Sequence, residues 1–237
     1  MDNNHIVEIR GLVKHFPMGG DHFLALKGIS LDFAVGEFTG LVGPSGSGKT
    51  TLLNIVGGLD SPSEGQVTVL GHNLAGTSHK QRAELRRLHM GFIFQTYNLL
   101  PVYTVYENVE FPLLLNGVPA DERKRLVTRA IELVGLSDKM GSRPAQLSGG
   151  EGQRTAIARA IVKEPTLVLA DEPTANLDAE NSHHVMKILV SLNKELSTSF
   201  IFATHDEKVM AYLHRILNLV DGKIVKDELV ENPELKG

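Results

Sequence analysis

Eight residues constrain this chain more than any others: Gly43-Pro44-Ser45-Gly46-Ser47-Gly48-Lys49-Thr50, which fit G-x-x-x-x-G-K-[ST] at every defined position. Residues 38–42 before them are a short apolar run of strand character. Residues 51–56, Thr51-Leu52-Leu53-Asn54-Ile55-Val56, read as the start of a buried helix. Strand, glycine loop and helix are the context this pattern needs. Glycines at 43, 46 and 48 let the backbone curl so that successive N–H groups point inward at phosphate oxygens. The helix start adds unpaired donors and the positive end of its dipole. Lys49 is placed to reach β- and γ-phosphates and the Thr50 hydroxyl to hold Mg²⁺. The pattern predicts a site for a nucleoside triphosphate, with Pro44, Ser45, Ser47 and Thr51 counted among the binding set.

Composition narrows the class around that loop. The chain has 237 residues, enough for one large domain or one domain with an inserted subdomain. It is 42% hydrophobic and 22% charged, an ordinary globular balance, and its net charge of −4 predicts no nucleic-acid surface. Without cysteine it has neither disulfides nor thiolate metal sites. The first residues, Met1-Asp2-Asn3-Asn4-His5, lack the basic and apolar regions of a signal peptide. No apolar run approaches the roughly 20 residues of a membrane span. These features predict a cytoplasmic protein.

Periodicity places strands at 6–10 and 24–33 with a turn at 18–21, then a turn at 60–65 and a strand at 66–70. A charged helix is expected over 80–88 and a buried strand over 91–94. From 95 to 164 the pattern is mostly helical, with apolar faces over 105–115 and 121–134. Compact apolar runs at 166–170 and 200–203, joined by a helix over 179–196, make a strand–helix–strand unit of buried parallel type. Asp221-Gly222 predicts a hairpin between 215–220 and 223–226. The expected architecture is an α/β core (1–94 and 165–237) carrying a small antiparallel sheet, with residues 95–164 as a helical insertion.

Two further stretches carry chemistry. Asp171 and Glu172 follow the apolar strand, and ligands of an open α/β sheet sit at the carboxyl ends of its strands. Asp171 is therefore expected on Mg²⁺, and Glu172 on a water attacking the γ-phosphate. Leu147-Ser148-Gly149-Gly150-Glu151 precedes a helix with Ala156, Ile157, Ala160 and Ile161 on one face. Ser148 is either a simple N-cap or, with Gly149 and Gly150, part of a second anion site. The adjacent His183 and His184 point about 100° apart on a helix and read as a solvated face.

Leu147–Gln153 resembles the signature of ABC-type ATPases, and the resemblance covers essentially the whole chain. The phosphate loop, the signature and Leu169–Glu172 stand in that family's order, with Gln95, Asp178 and His205 at the remaining motif positions. The resemblance implies a P-loop NTPase (RecA-like) core with an N-terminal antiparallel β subdomain and an inserted α-helical subdomain. It places Gln95 on Mg²⁺ and the attacking water, Asp178 in the loop crossing a dimer interface, His205 on the γ-phosphate and Phe16 against adenine. Gly152 departs from the family, where an amide or basic side chain is common. Residues 54–60, 98–101 with 107–109, and 170–178 are similar to the lipoprotein-releasing and macrolide-export subgroup.

What the family implies is a head-to-tail homodimer with two ATP molecules, each held by Lys49, Thr50 and Asp171 of one copy and Ser148 and Gly150 of the other. Glu172, His205 and Gln95 are the implied catalytic set. A separate transmembrane permease subunit is the implied partner, received beside Gln95 by Tyr97, Leu100, Pro101 and Tyr103, so that the chain sits on the cytoplasmic face of the inner membrane through that partner alone. An ABC ATPase without transport, in transmembrane signalling or as a soluble enzyme, is the alternative. No Asn-Lys-x-Asp base-reading motif is present, so GTP is not the expected nucleotide.

Overall fold

The structure is a computed structural model that describes residues 5–19 and 21–230. Residues 1–4 of the polar N-terminus and Gly20 of the expected turn at 18–21 lie outside the described residues. The chain runs β1 (His5–Met18), β2 (Asp21–Ala34), β3 (Phe38–Val42), α1 (Lys49–Val56), β4 (Glu64–Val69), β5 (His72–Asn73), α2 (His79–His89) and β6 (Met90–Phe94). It continues through α3 (Val105–Leu115), α4 (Ala120–Leu133), α5 (Gly149–Ile161), β7 (Leu167–Asp171), α6 (Ala179–Leu196), β8 (Ser199–Thr204), α7 (Glu207–Met210), β9 (Arg215–Val220) and β10 (Lys223–Leu229).

Two sheets result. One is antiparallel, in the order β2-β1-β4-β5; the other has the order β10-β9-β3-β8-β7-β6, parallel except for the final β9–β10 hairpin. The central parallel strands are mostly apolar because both faces are covered, with Thr39, Ser199 and Thr204 buried among them. Their side chains alternate between two cores. Phe38, Val168, Phe200 and Phe202 join the core under the helices. Leu41, Leu169 and Ile201 join the core shared with the antiparallel sheet and α1. Each such side chain stabilises the fold by roughly 1.5–3 kcal/mol.

β1 is longer than the sequence pattern suggests. Gly11 (φ 60°) and the polar Lys14 and His15 break the alternation, but β2 pairs along the whole strand across several bulges. The stretch 95–164 holds α3, α4 and α5, whose Val109, Ile131 and Ile157 share one core with the sheet. At the other end of the chain, Asp221 (φ 46°) and Gly222 (φ 76°) make the expected hairpin turn.

What matters for chemistry is the register. Phe94 pairs with Asp171, Asp171 with Ala203, and Val42 with Thr204. The residues that follow these strand ends, Gly43, Gln95, Glu172 and His205, therefore emerge along one edge of the parallel sheet.

Candidate active site

The phosphate loop joins β3 to α1, and its path depends on side chains that are missing. A Cβ at Gly43 would run into the Leu219 carbonyl oxygen, and one at Gly48 would come within 2.9 Å of the Ala25 carbonyl oxygen. Gly48 also lies at φ 107°, and as the residue before α1 it supplies no capping side chain. The first N–H groups of α1 thus lack both an intrahelical partner and a cap. Ser47 is buried, and its hydroxyl has no hydrogen-bond partner in the fold. Lys49 folds back, donating to the carbonyl oxygens of Gly43 (2.7 Å) and Pro44 (3.0 Å). Unmated donors, an orphaned hydroxyl and a lysine parked on its own loop together fit a phosphate chain.

Beside the loop, the Thr50 hydroxyl donates to Asp171 Oδ1 at 3.1 Å. Burial pushes the Asp171 carboxyl above its ordinary range; the Thr50 hydrogen bond opposes this, the Glu172 charge adds to it, and Lys49 pulls it back. A hydroxyl and a carboxylate are the hard oxygen donors that Mg²⁺ takes, with phosphate and water oxygens completing its shell. Glu172 sits at φ 47°, a conformation that costs a non-glycine residue about 1–3 kcal/mol, and its N–H donates to Ala203 O at 2.8 Å. The turn aims its carboxylate at His205, whose Nδ1 donates to Glu172 Oε1 at 2.6 Å.

These groups surround one cavity of about 450 Å³, lined by Ser45, Gly46, Gly48, Lys49, Thr50, Thr51, Gln95, Asp171, Glu172 and His205. Phe16 closes one side, with Phe23, its cross-strand partner, and Ala25. Lys14 Nζ lies 4.8 Å from the Phe16 ring centroid and is tied to Asp60 at 2.7 Å, so the Phe16 ring is braced. Sequence reasoning missed Phe23. Its signal was available, because a turn at 18–21 pairs residue 16 with residue 23.

Ser148, Gly149, Gly150 and Asp178 do not line this cavity. Ser148 caps α5 with a complete capping box: its hydroxyl accepts from the Glu151 N–H at 3.3 Å, and Glu151 accepts from the Ser148 N–H at 2.8 Å. Both Ser148 and Gly149 are exposed. Asp178 caps α6, accepting from Asn181 N at 2.8 Å. Within one copy, then, the second helix start does not share the cavity of the first. His183 and His184 are exposed on α6, the former bonded to the Tyr212 hydroxyl at 2.8 Å. Among the described residues, no group of three or more His, Asp or Glu could hold a metal on its own.

The family model described as ABC transporter matches residues 26–175. The chain belongs to the ABC transporter family. It is similar to the lipoprotein-releasing system ATP-binding protein LolD of Pseudomonas fluorescens, 41% identical over 95% of this chain and 99% of that one. It is also similar to the macrolide export ATP-binding/permease protein MacB 1/2 of Paracoccus denitrificans, 43% identical over 96% of this chain but 34% of that longer protein. Among solved structures, an ATP-binding cassette dimer in a post-hydrolysis state with ADP and Pi superposes with a TM-score of 0.88, at 36% identity over 95% of this chain and 99% of that one.

The cassette also has a feature that the motifs alone hide. Tyr97 and Asn98, just after Gln95, take φ values of 58° and 49°. The half-buried Tyr97 ring lies against the first turn of α5, beside Gly149 and Gly152. A nearby hollow of about 300 Å³ is lined by residues including Phe92, Asn98, Pro112, Arg159 and Lys163. Arg159 donates to the Tyr97 and Asn98 carbonyl oxygens at 2.6 Å each, and Gln153 donates to Pro173 O at 2.5 Å. The buried Asn108 accepts from Leu100 N at 2.8 Å and donates to the carbonyl oxygens of Leu100, Tyr103 and Thr104.

Proposed function

We propose that this chain is the ATP-hydrolysing subunit of an ABC transporter of the lipoprotein-release or macrolide-export type, working as a head-to-tail dimer on a separate membrane subunit. The observation that carries the reading is the strand register, which brings the phosphate loop, Asp171, Glu172, Gln95 and His205 around one cavity. In the proposed roles, Phe16 and Phe23 offer ring faces to adenine, and the 43–50 loop with Thr51 wraps the phosphates. Lys49 leaves the Gly43 and Pro44 carbonyls for the β- and γ-phosphates. Thr50, Asp171 and Gln95 would hold Mg²⁺, which when bound supplies charge neutralisation on the phosphates. Glu172 orients the attacking water and takes its proton, while His205 moves from Glu172 to the γ-phosphate.

Ser148, Gly149 and Gly150, with Asp178 nearby, serve the nucleotide of the second copy. Loss of the γ-phosphate removes the binding difference that favours the closed dimer, which converts hydrolysis into motion. Among the described residues, no helix is long and apolar enough to cross a membrane. In this reading the chain meets the inner membrane from its cytoplasmic face through the permease. Residues 95–164 form the helical subdomain that passes the motion on, and residues 1–94 and 165–237 form the ATP-binding core. The test is co-purification of tagged Glu172→Gln protein with ATP and Mg²⁺ from detergent-solubilised native membranes. A membrane protein with few spans and a large external domain is expected. A trapped dimer with no membrane protein would sink the transporter role.

A further inference from the structure

Gly152, the family departure, has a structural counterpart in Tyr97. A Cβ at Gly152 would lie 3.1 Å from Tyr97 Cδ2 and 3.3 Å from Cε2, closer than a side chain sits without its neighbour giving way. A Cβ at Gly149 would lie 3.2 Å from the Tyr97 hydroxyl oxygen. The Tyr97 ring thus lies along the first turn of α5, across two of its glycine positions. It is held there by the left-handed turn at 97–98, whose two carbonyls Arg159 of the same helix clamps. Asn176 fixes the other end of the segment, donating to Gln95 O at 2.9 Å.

We propose that Tyr97 is a positioning residue for the Ser148–Gly150 anion site: its ring, admitted by Gly152, seats the start of α5 and ties it to the Gln95 segment of the same chain. This rests on the dimer reading above, since the Ser148–Gly150 site acts only on a second copy's nucleotide. The space given up at residue 152 is the space the ring occupies, so the two positions act as a pair.

A double-mutant cycle in the Glu172→Gln background tests this, reading the ATP concentration that half-dimerises the protein and, in parallel, the melting temperature. Tyr97→Ala should raise that concentration roughly tenfold, within the range of coupling between touching side chains, while Tyr97→Phe, which keeps the ring, should match the parent. Gly152→Ala should also weaken dimerisation, because its methyl group displaces the Tyr97 ring. Adding Gly152→Ala to Tyr97→Ala should weaken it no further. Equal dimerisation by the parent and Tyr97→Ala, or purely additive losses in the double variant, would overturn the inference alone. A parent that stays monomeric with ATP bound would overturn the dimer reading and the inference with it.

Discussion

The two glycine-bearing helix starts of this chain look alike in sequence and behave oppositely in the structure. α1 begins at Gly48 with no capping side chain, an orphaned Ser47 hydroxyl and a lysine bonded to its own loop. α5 begins at Ser148 with a capping box that occupies the Ser148 and Glu151 N–H groups, and Lys139 reinforces Glu151 at 3.1 Å. The Ser148 amide hydrogen bond, above all, holds the Glu151 carboxyl below its ordinary range, with Lys139 assisting. The first site has donors and a cation to spend on a ligand by itself. The second is at rest without one, and its exposed Ser148 and Gly149 suit contact with a ligand that another molecule brings.

The largest effect is expected from Glu172→Gln, which should slow hydrolysis by about 10²–10⁴-fold with ATP affinity retained, measured by phosphate release. An unchanged rate would remove Glu172 from its role. Next, Lys49→Ala should weaken ATP binding by the single subunit by roughly 10–100-fold in titration calorimetry, the value of a lost charge-assisted contact. Equal affinity would mean that the loop's backbone alone does the binding.

Asp171→Asn should abolish Mg²⁺-dependent turnover but stabilise the ligand-free protein. The sign follows from the raised folded pKa: the native state binds the proton more tightly, so the penalty is present at neutral pH and fades as pH falls through that raised value toward the ordinary carboxylate range. The melting-temperature gain over wild type should shrink over that same descent. The smallest effect belongs to Ser148→Ala. It should cost about 1 kcal/mol of stability through the lost cap and leave ATP affinity of the single subunit intact. A loss of that affinity would show that the second helix start serves its own chain.

Much of this was legible before the structure. The parallel strands were readable because both of their faces are buried and their residues are mostly apolar, as in Phe38–Val42, where every position is buried. Asp171 and Glu172 were legible as carboxylates at the end of such a run. Tyr97 was not, because its orientation depends on a positive φ that nothing in a tyrosine signals. Arg159 and Gln153 were hidden for a different reason. A polar side chain on a helix reads as a solvated face unless the backbone carbonyls it serves, here at 97, 98 and 173, are known to lie nearby.

The measurement closest to the centre of the account is the sedimentation mass of the Glu172→Gln protein with ATP and Mg²⁺. One ready site and one resting site per chain require mass doubling with ATP, two nucleotides per dimer, and reversal when ATP is exchanged for ADP. A monomer that binds ATP fully and never doubles would show that the second helix start has no part in holding the nucleotide.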